Sequence, residues 1–285
     1  MFATALIVFR EVLEAALIVG IVAAACRGLA GRATWIAAGI GAGLLGSGIV
    51  ALFASVISDA AAGFGQEYLN AGILLLAVMM LGWHSVWMSR HGRELAQHAG
   101  ELGRSVSSGE LPLYAVTIAI ATAVLREGSE TVLFLAGIAS SDGDGASAML
   151  IGGLLGAAAG AAVGALLYAG LLRIPLRYFF TATNVLVLLL AAGMAAQATG
   201  FLVQADALPP LVDPLWDASG WLSEGSLAGK ILHSLIGYES RPAGIQVLAY
   251  AATILTILAA SRLARQADKA AAVSGASSGG SYAKR

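Results

Sequence analysis

The sequence predicts an all-α, polytopic membrane protein with seven transmembrane helices. Three observations predict it. Only 12% of residues are charged and 58% are hydrophobic, with a mean hydropathy of +0.82, whereas a soluble domain carries about 25% charge. Apolar runs long enough to cross a hydrocarbon core of about 30 Å return along the whole chain. The alternation of polar and apolar residues that marks a membrane β-barrel is missing.

The spans follow from hydropathy in chain order: Phe2–Ala25, Ala33–Ile57, Tyr68–Met88, Leu113–Ile138, Ala146–Leu172, Tyr178–Val203 and Gly244–Arg262. The first is expected to be retained rather than cleaved as a signal peptide. It lacks a basic start, and Arg10, Glu11 and Glu14 stand where an apolar core belongs. Two connections are long. Arg90–Pro112 is polar, and the outer loop Gln204–Ala243 holds four of the six prolines. One membrane domain over 1–262 is expected, with an Ala/Ser/Gly-rich cytoplasmic tail at 263–285 expected to be disordered.

Charge sets the expected orientation. Twelve of the sixteen Lys and Arg residues fall in or beside the loops after spans one, three and five and in the tail: Arg27, Arg32, Arg90, Arg93, Arg104, Arg173, Arg177, Arg262, Arg265, Lys269, Lys284 and Arg285. The opposite loops hold only Lys230 and Arg241. The positive-inside rule then places the N-terminus outside and the C-terminus inside, which requires an odd number of spans. The outward loops are acidic, with Asp59, Glu67, Asp142, Asp144, Asp206, Asp213, Asp217, Glu224 and Glu239. Such a face gathers cations, although solvated loops are often acidic for no such reason. A net charge of -1 without a basic stripe argues against nucleic-acid binding, and Cys26, the single cysteine, excludes an intramolecular disulfide.

The chain repeats itself. Phe9-Arg-Glu-Val-Leu-Glu14 in span one matches Leu125-Arg-Glu-Gly-Ser-Glu130 in span four. Asn70-x-x-x-Leu-Leu-Leu-Ala77 in span three matches Asn184-x-x-x-Leu-Leu-Leu-Ala191 in span six. Spans two and five both carry spaced glycines, at Gly39, Gly43 and Gly46 and at Gly152, Gly156, Gly160 and Gly164. Repeat one covers about residues 1–90 and repeat two about 112–203. A unit of three spans inserts its second copy upside down, the inverted-repeat plan of many transporters, which binds its substrate near the midplane. The glycines read as packing positions. Trp83 and Trp87 read as interfacial aromatics.

The two charged motifs carry the chemistry. At 100° per residue, Arg10, Glu11 and Glu14 share one arc of their helix, and Arg126, Glu127 and Glu130 repeat the arrangement. Each ionised side chain at mid-membrane costs roughly 2.5–3.5 kcal/mol on the lenient scale, so six cost around 15–20 kcal/mol before pairing. A protein stable by about 5–15 kcal/mol cannot leave them facing lipid. Buried ion pairs that merely fix packing are one reading, but apolar replacements serve packing as well or better. Four glutamates against two arginines leave a net charge of -2, which calls for a cation. Carboxylates are hard ligands, suited to Mg, Ca, Mn and ferric iron better than to copper(I) or zinc. No thiolate or histidine is expected beside them: His84 reads as a satisfied or interfacial residue, and His91, His98 and His233 form no cluster. Spacing alone leaves iron, another hard cation such as manganese, and protons open. A membrane-embedded enzyme using paired carboxylates as acid and base is disfavoured, because no nucleophile or cofactor motif accompanies them; the chain reads as a non-enzyme.

Two Arg-Glu-x-x-Glu motifs, in the first and fourth of seven spans, resemble those of the high-affinity iron permeases, the family of the fungal oxidase-dependent permease and the bacterial EfeU-type proteins. Trp216, Asp217, Ser219 and Trp221, followed by Gly237-Tyr238, resemble the bacterial branch. The resemblance implies a multi-pass protein of the plasma membrane, in bacteria the inner membrane, with iron as transported substrate and no permanently bound cofactor. It implies metal-binding roles for Glu11, Glu14, Glu127 and Glu130, supported by Arg10 and Arg126. It also implies an external protein that oxidises or delivers iron. The family's acidic pair at the outer start of span three stands here as Glu67 and Asn70, and its Asp-Ala-Ser-Glu loop motif as Asp217-Ala-Ser-Gly220. Glu67 and Asp217 are therefore the expected outer capture residues.

Overall fold

A computed structural model describes residues 1–61, 65–142, 145–170 and 176–279, and all regular structure among them is helical. Of the charges that set the expected orientation, Asp144, Arg173, Lys284 and Arg285 lie outside the described residues. The helices are α1 (Phe2–Ala25), α2 (Arg32–Ala61), α3 (Gln66–Ser107), α4 (Tyr114–Asp142), α5 (Ala146–Tyr168), α6 (Leu176–Gln204), α7 (Leu227–Ile236) and α8 (Gly244–Gly279).

Five of them contain stretches long and apolar enough to cross a membrane: Arg32–Ala54, Gln66–Met88, Ala146–Tyr168, Thr181–Gln204 and Gly244–Ala264. The helices α1 and α4, with 24 and 29 residues, are long enough but too charged. Every 18-residue window within either one includes all three ionisable residues of its motif. The helices that depart from membrane composition are thus the two that carry the motifs.

Glycine contacts give the helix directions. A Cβ built on Gly152 or Gly156 would strike the carbonyl oxygens of Met1 or Ala5, and one on Gly160 would lie 2.7 Å from that of Phe9. Residue numbers climb together, so α5 runs parallel to α1 with backbone against backbone, as small-xxx-small spacing allows. Gly39, Gly43 and Gly46 meet Ile120, Val124 and Leu125 in the same sense, making α2 parallel to α4. These are the two largest helix interfaces, and they exchange when α1 is matched with α4 and α2 with α5.

The two motif helices run in opposite directions. At one end Ala3 and Ile7 of α1 share a core with Phe134 and Ile138 of α4. At the other, Val22 and Cys26 share one with Val116, Ile120 and Val124. The first core also takes Ala71, Leu74, Ala77 and Leu81 of α3 and Val187, Leu190, Ala191, Met194 and Ala198 of α6. The repeated spacing that marked Ala77 and Ala191 in the two sequence copies thus ends with both in one core. The charged residues lie between the two cores.

Three segments differ from the sequence reading. The helix α3 does not stop at Met88 but runs through the expected polar connection to Ser107. Ala99, Leu102 and Val106 form an apolar stripe that packs against Val22 and Cys26, so this segment gains burial by staying helical. The loop 205–243 contains a short helix, α7, started by Ser226, whose Oγ accepts from the Gly229 amide at 3.0 Å, and stopped by Gly237 in the left-handed region at φ 68°. A Cβ added to Gly193 would come 2.5 Å from the Gly237 Cα, so two glycines dock α7 onto α6. The helix α8 continues past residue 262 to Gly279 through a segment that includes Ala270, Ala271 and Ala272, residues of high helix propensity.

Candidate metal centre between the motif helices

The helical period places Arg10 and Glu14 one turn apart on one face of α1, and the Arg10 Nε donates to Glu14 Oε1 at 3.0 Å. The Arg10 Nη1 lies 3.5 Å from Glu11 Oε1. In α4 the same spacing pairs Arg126 Nε with Glu130 Oε1 at 3.1 Å, with Glu127 Oε1 at 3.9 Å. Each motif thus folds into one guanidinium between two carboxylates.

The motifs are chemically alike but differently exposed. Arg10, Glu11, Glu14 and Glu127 are all at most 3% exposed, whereas Glu130 is 18% and Arg126 31% exposed. The difference traces to α3. Between α3 and α4 lies an open cleft of about 640 Å³, lined by Met80, Trp83, His84, Trp87, Arg126 and Glu130. Arg126 stacks over the Trp87 ring at 4.1 Å from its centroid, a cation–π contact. Trp87, read from sequence as merely interfacial, therefore braces the second motif.

Histidine 84 corrects the sequence reading. It is 3% exposed and sits among the glutamates: Nε2 is 3.7 Å from Glu14 Oε2, and Nδ1 contacts Glu130 Oε2. Its ring meets Phe134 edge-on, which fixes its plane. The helical wheel of α3 alone shows no reason to place His84 here. Only the docking of α3 against both α1 and α4 does.

One ligand atom from each of Glu11, His84, Glu127 and Glu130 lies within 4.8 Å of the others. Buried carboxylate oxygens here lack a hydrogen bond, among them Glu11 Oε2 and both oxygens of Glu127. Buried polar atoms are ordinarily satisfied, because leaving one unpaired costs about 1–3 kcal/mol and more for charged groups. A cluster of buried carboxylate oxygens converging on one point has the chemistry to hold a cation. Four carboxylates face two guanidinium groups, so a divalent ion would balance the formal charge.

Small residues bring the surrounding helices close. Gly128, inside the second motif, lets α2 approach so tightly that an added Cβ would collide with the Ser47 hydroxyl. That hydroxyl donates to the Gly43 carbonyl at 3.0 Å. The corresponding position in the first motif is Val12, and its side chain meets Gly160 of α5 instead. Bulk and glycine exchange places between the two halves.

The expected outer capture residues lie elsewhere. Glu67, in the first turn of α3, is 17 residues from His84, about 25 Å along a helix axis. Asp217 is exposed in the loop and clasped by Arg241 Nη2 at 2.8 Å and the Ser219 amide at 3.0 Å. Those partners hold its carboxyl well below the ordinary aspartate range. The loop folds back on itself: the Ala218 amide donates to Ser240 O at 2.9 Å, and Tyr238 Oη donates to Leu222 O at 2.8 Å.

Residues 1–264 match the model of the iron permease FTR1 family. The chain is 30% identical over 255 residues to the ferrous iron permease EfeU of Yersinia pestis, covering 88% of this chain and 89% of that one. It is 31% identical over 269 residues to the EfeU of Escherichia coli O6:H1 strain CFT073, covering 91% and 95%. With the EfeU of Shigella sonnei it shares 31% over 280 residues, covering 95% and 99%. No solved structure matches the chain.

Proposed function

The chain belongs to the iron permease FTR1 family, and from that premise we propose that it carries iron through the membrane by passing the ion between Glu11, Glu14, Glu127 and Glu130. The observation that supports this reading is the convergence of carboxylate oxygens from two antiparallel helices on one buried point, several without hydrogen bonds. The relatives named ferrous iron permeases favour the divalent ion as substrate.

The mechanism uses the asymmetry of the site. Arg10 and Arg126 orient the carboxylates while no ion is present, each as a short-range counter-charge. An arriving cation replaces part of that compensation and satisfies the orphaned oxygens. Glu11, Glu14 and Glu127 form the enclosed side of the site, and Glu130 and Arg126 the side that opens toward the α3–α4 cleft. Passage then amounts to exchange of hard oxygen ligands between the two motifs.

In this reading α1 to α6 and α8 are seven spans arranged as a 3+3 inverted repeat plus one, in the plasma membrane with the N-terminus outside. The parallel pairs α1–α5 and α2–α4 support the repeat, and the basic loops support the orientation. Glu67 and Asp217 mark the outer face, where an external iron-oxidising or iron-delivering protein would hand over its ion. Trp221, 89% exposed on the loop, is a suitable contact for it.

The test is uptake of radioactive iron by intact cells. Glu14→Ala and Glu130→Ala should each abolish uptake while membrane abundance stays near normal. Full uptake in either variant would refute the route.

A further inference from the structure

Carboxylates alone do not account for the ligand set. The cluster contains a nitrogen donor, and its position is unusual in three respects. His84 comes from α3, outside both charged motifs. It touches both of them, through Glu14 on one side and Glu130 on the other. The groups its two buried ring nitrogens face are these carboxylates of the cluster. A structural histidine in a membrane core is normally bonded to a carbonyl or hydroxyl that fixes its tautomer. His91, beyond the apolar span, makes a bond of that kind, with its Nδ1 3.1 Å from the Trp87 carbonyl oxygen.

We propose that His84 is the nitrogen ligand of the transported ion and that it biases the site toward divalent transition metals over Mg²⁺ and Ca²⁺; this rests on the transport reading above. The chemistry follows from ligand type. Oxygen-only sites suit Mg²⁺ and Ca²⁺, which gain little from imidazole, whereas Fe²⁺ and its neighbours in the first transition row bind imidazole readily. Wherever Mg²⁺ or Ca²⁺ exceeds Fe²⁺, a purely carboxylate pathway would be filled by the wrong ion. A single nitrogen at the junction of the two motifs is placed where every passing ion meets it. The neutral imidazole adds affinity without adding charge, so it discriminates by bonding character and not by field strength.

Two measurements test this on the full-length protein. In membrane vesicles, Fe²⁺ uptake by the wild type should resist a large excess of Mg²⁺ or Ca²⁺. In His84→Gln, which keeps size and polarity, the apparent preference for Fe²⁺ over Mg²⁺ should fall by at least about tenfold, in line with the loss of a supporting group at a metal site. X-ray absorption on untagged wild-type protein loaded with Co²⁺ should show outer-shell scattering from imidazole, and His84→Gln should lose it. Should His84→Gln fail to accumulate, His84→Asn serves for transport, and the wild-type spectrum is decisive without any variant. Unchanged selectivity, a wild-type spectrum without imidazole, or an imidazole signal that survives the substitution would each overturn the role of His84. If any of these occurs while Glu14→Ala still abolishes uptake, the carboxylate route stands. A wild-type protein that takes up no iron would instead remove the transport reading, and the role of His84 with it.

Discussion

Replacing Gly160 by alanine separates the packing of α5 from its composition. A Cβ at this position sits 2.7 Å from the Phe9 carbonyl oxygen, 3.1 Å from the Val12 Cβ and 3.2 Å from the Leu13 amide nitrogen. Ordinary contact begins at 3.4 Å, so α1 must retreat by about 0.7 Å. Backbone atoms cannot swing aside as a flexible side chain does, and overpacking of this kind costs about 1–3 kcal/mol. The displaced segment, Phe9 to Leu13, contains Arg10 and Glu11. A misplacement approaching 1 Å at a reacting group lowers rates on the order of a hundredfold, so iron uptake should fall at least about tenfold. The control lies on the same helix. Gly153 has no atom within 4 Å of its built Cβ, and alanine there should be neutral or stabilise by up to about 1 kcal/mol through helix propensity. Thermal unfolding in detergent and iron uptake in cells are measured for both. Equal behaviour of the two variants would refute the claim that α5 positions the first motif by direct backbone contact.

Arg10→Met strands two buried carboxylates and should cost about 3–5 kcal/mol, read as a loss of folded protein by fluorescence-detected size-exclusion chromatography. Adding Glu14→Leu should restore much of that abundance but none of the transport, whereas Arg126→Met, at a position 31% exposed, should accumulate nearly as well as wild type. In the outer loop, Asp217→Asn should speed amide hydrogen exchange over 215–221 at neutral pH, because Arg241 and Ser219 lose an anionic partner. The sign follows from the lowered pKa: the wild-type clasp is at full strength above the ordinary aspartate range near about 4 and weakens only as pH drops toward the depressed value. The wild-type loop should therefore keep its protection at pH 5, and early loss there would count against the clasp.

Much of this protein was legible in one dimension because the signals are local. Low charge and repeated apolar runs identify membrane helices, since each span must satisfy the bilayer by itself. The period of the helix puts Arg10 beside Glu14 and Arg126 beside Glu130 whatever their neighbours do, and both pairs form at the expected spacing. The cost of burying those charges, an energy argument independent of any fold, already required them to face one another. The small residues of spans two and five likewise implied close helix contacts, and Gly43 and Gly156 make them.

Tertiary structure decided what depends on how helices are rotated and which ones meet. Nothing around His84 in the sequence distinguishes it from an interfacial residue, because its partners Glu14 and Glu130 lie 70 and 46 positions away. The same is true of the unequal exposure of the two motifs, which are equivalent as strings and differ because Trp87 and a cleft adjoin only the second. Asp217 reads as a free surface acid until Arg241, 24 residues on, is found holding it. Spacing along a helix determines the direction of a side chain about its own axis; the identity of the group it meets is determined by the packing of the other axes around it.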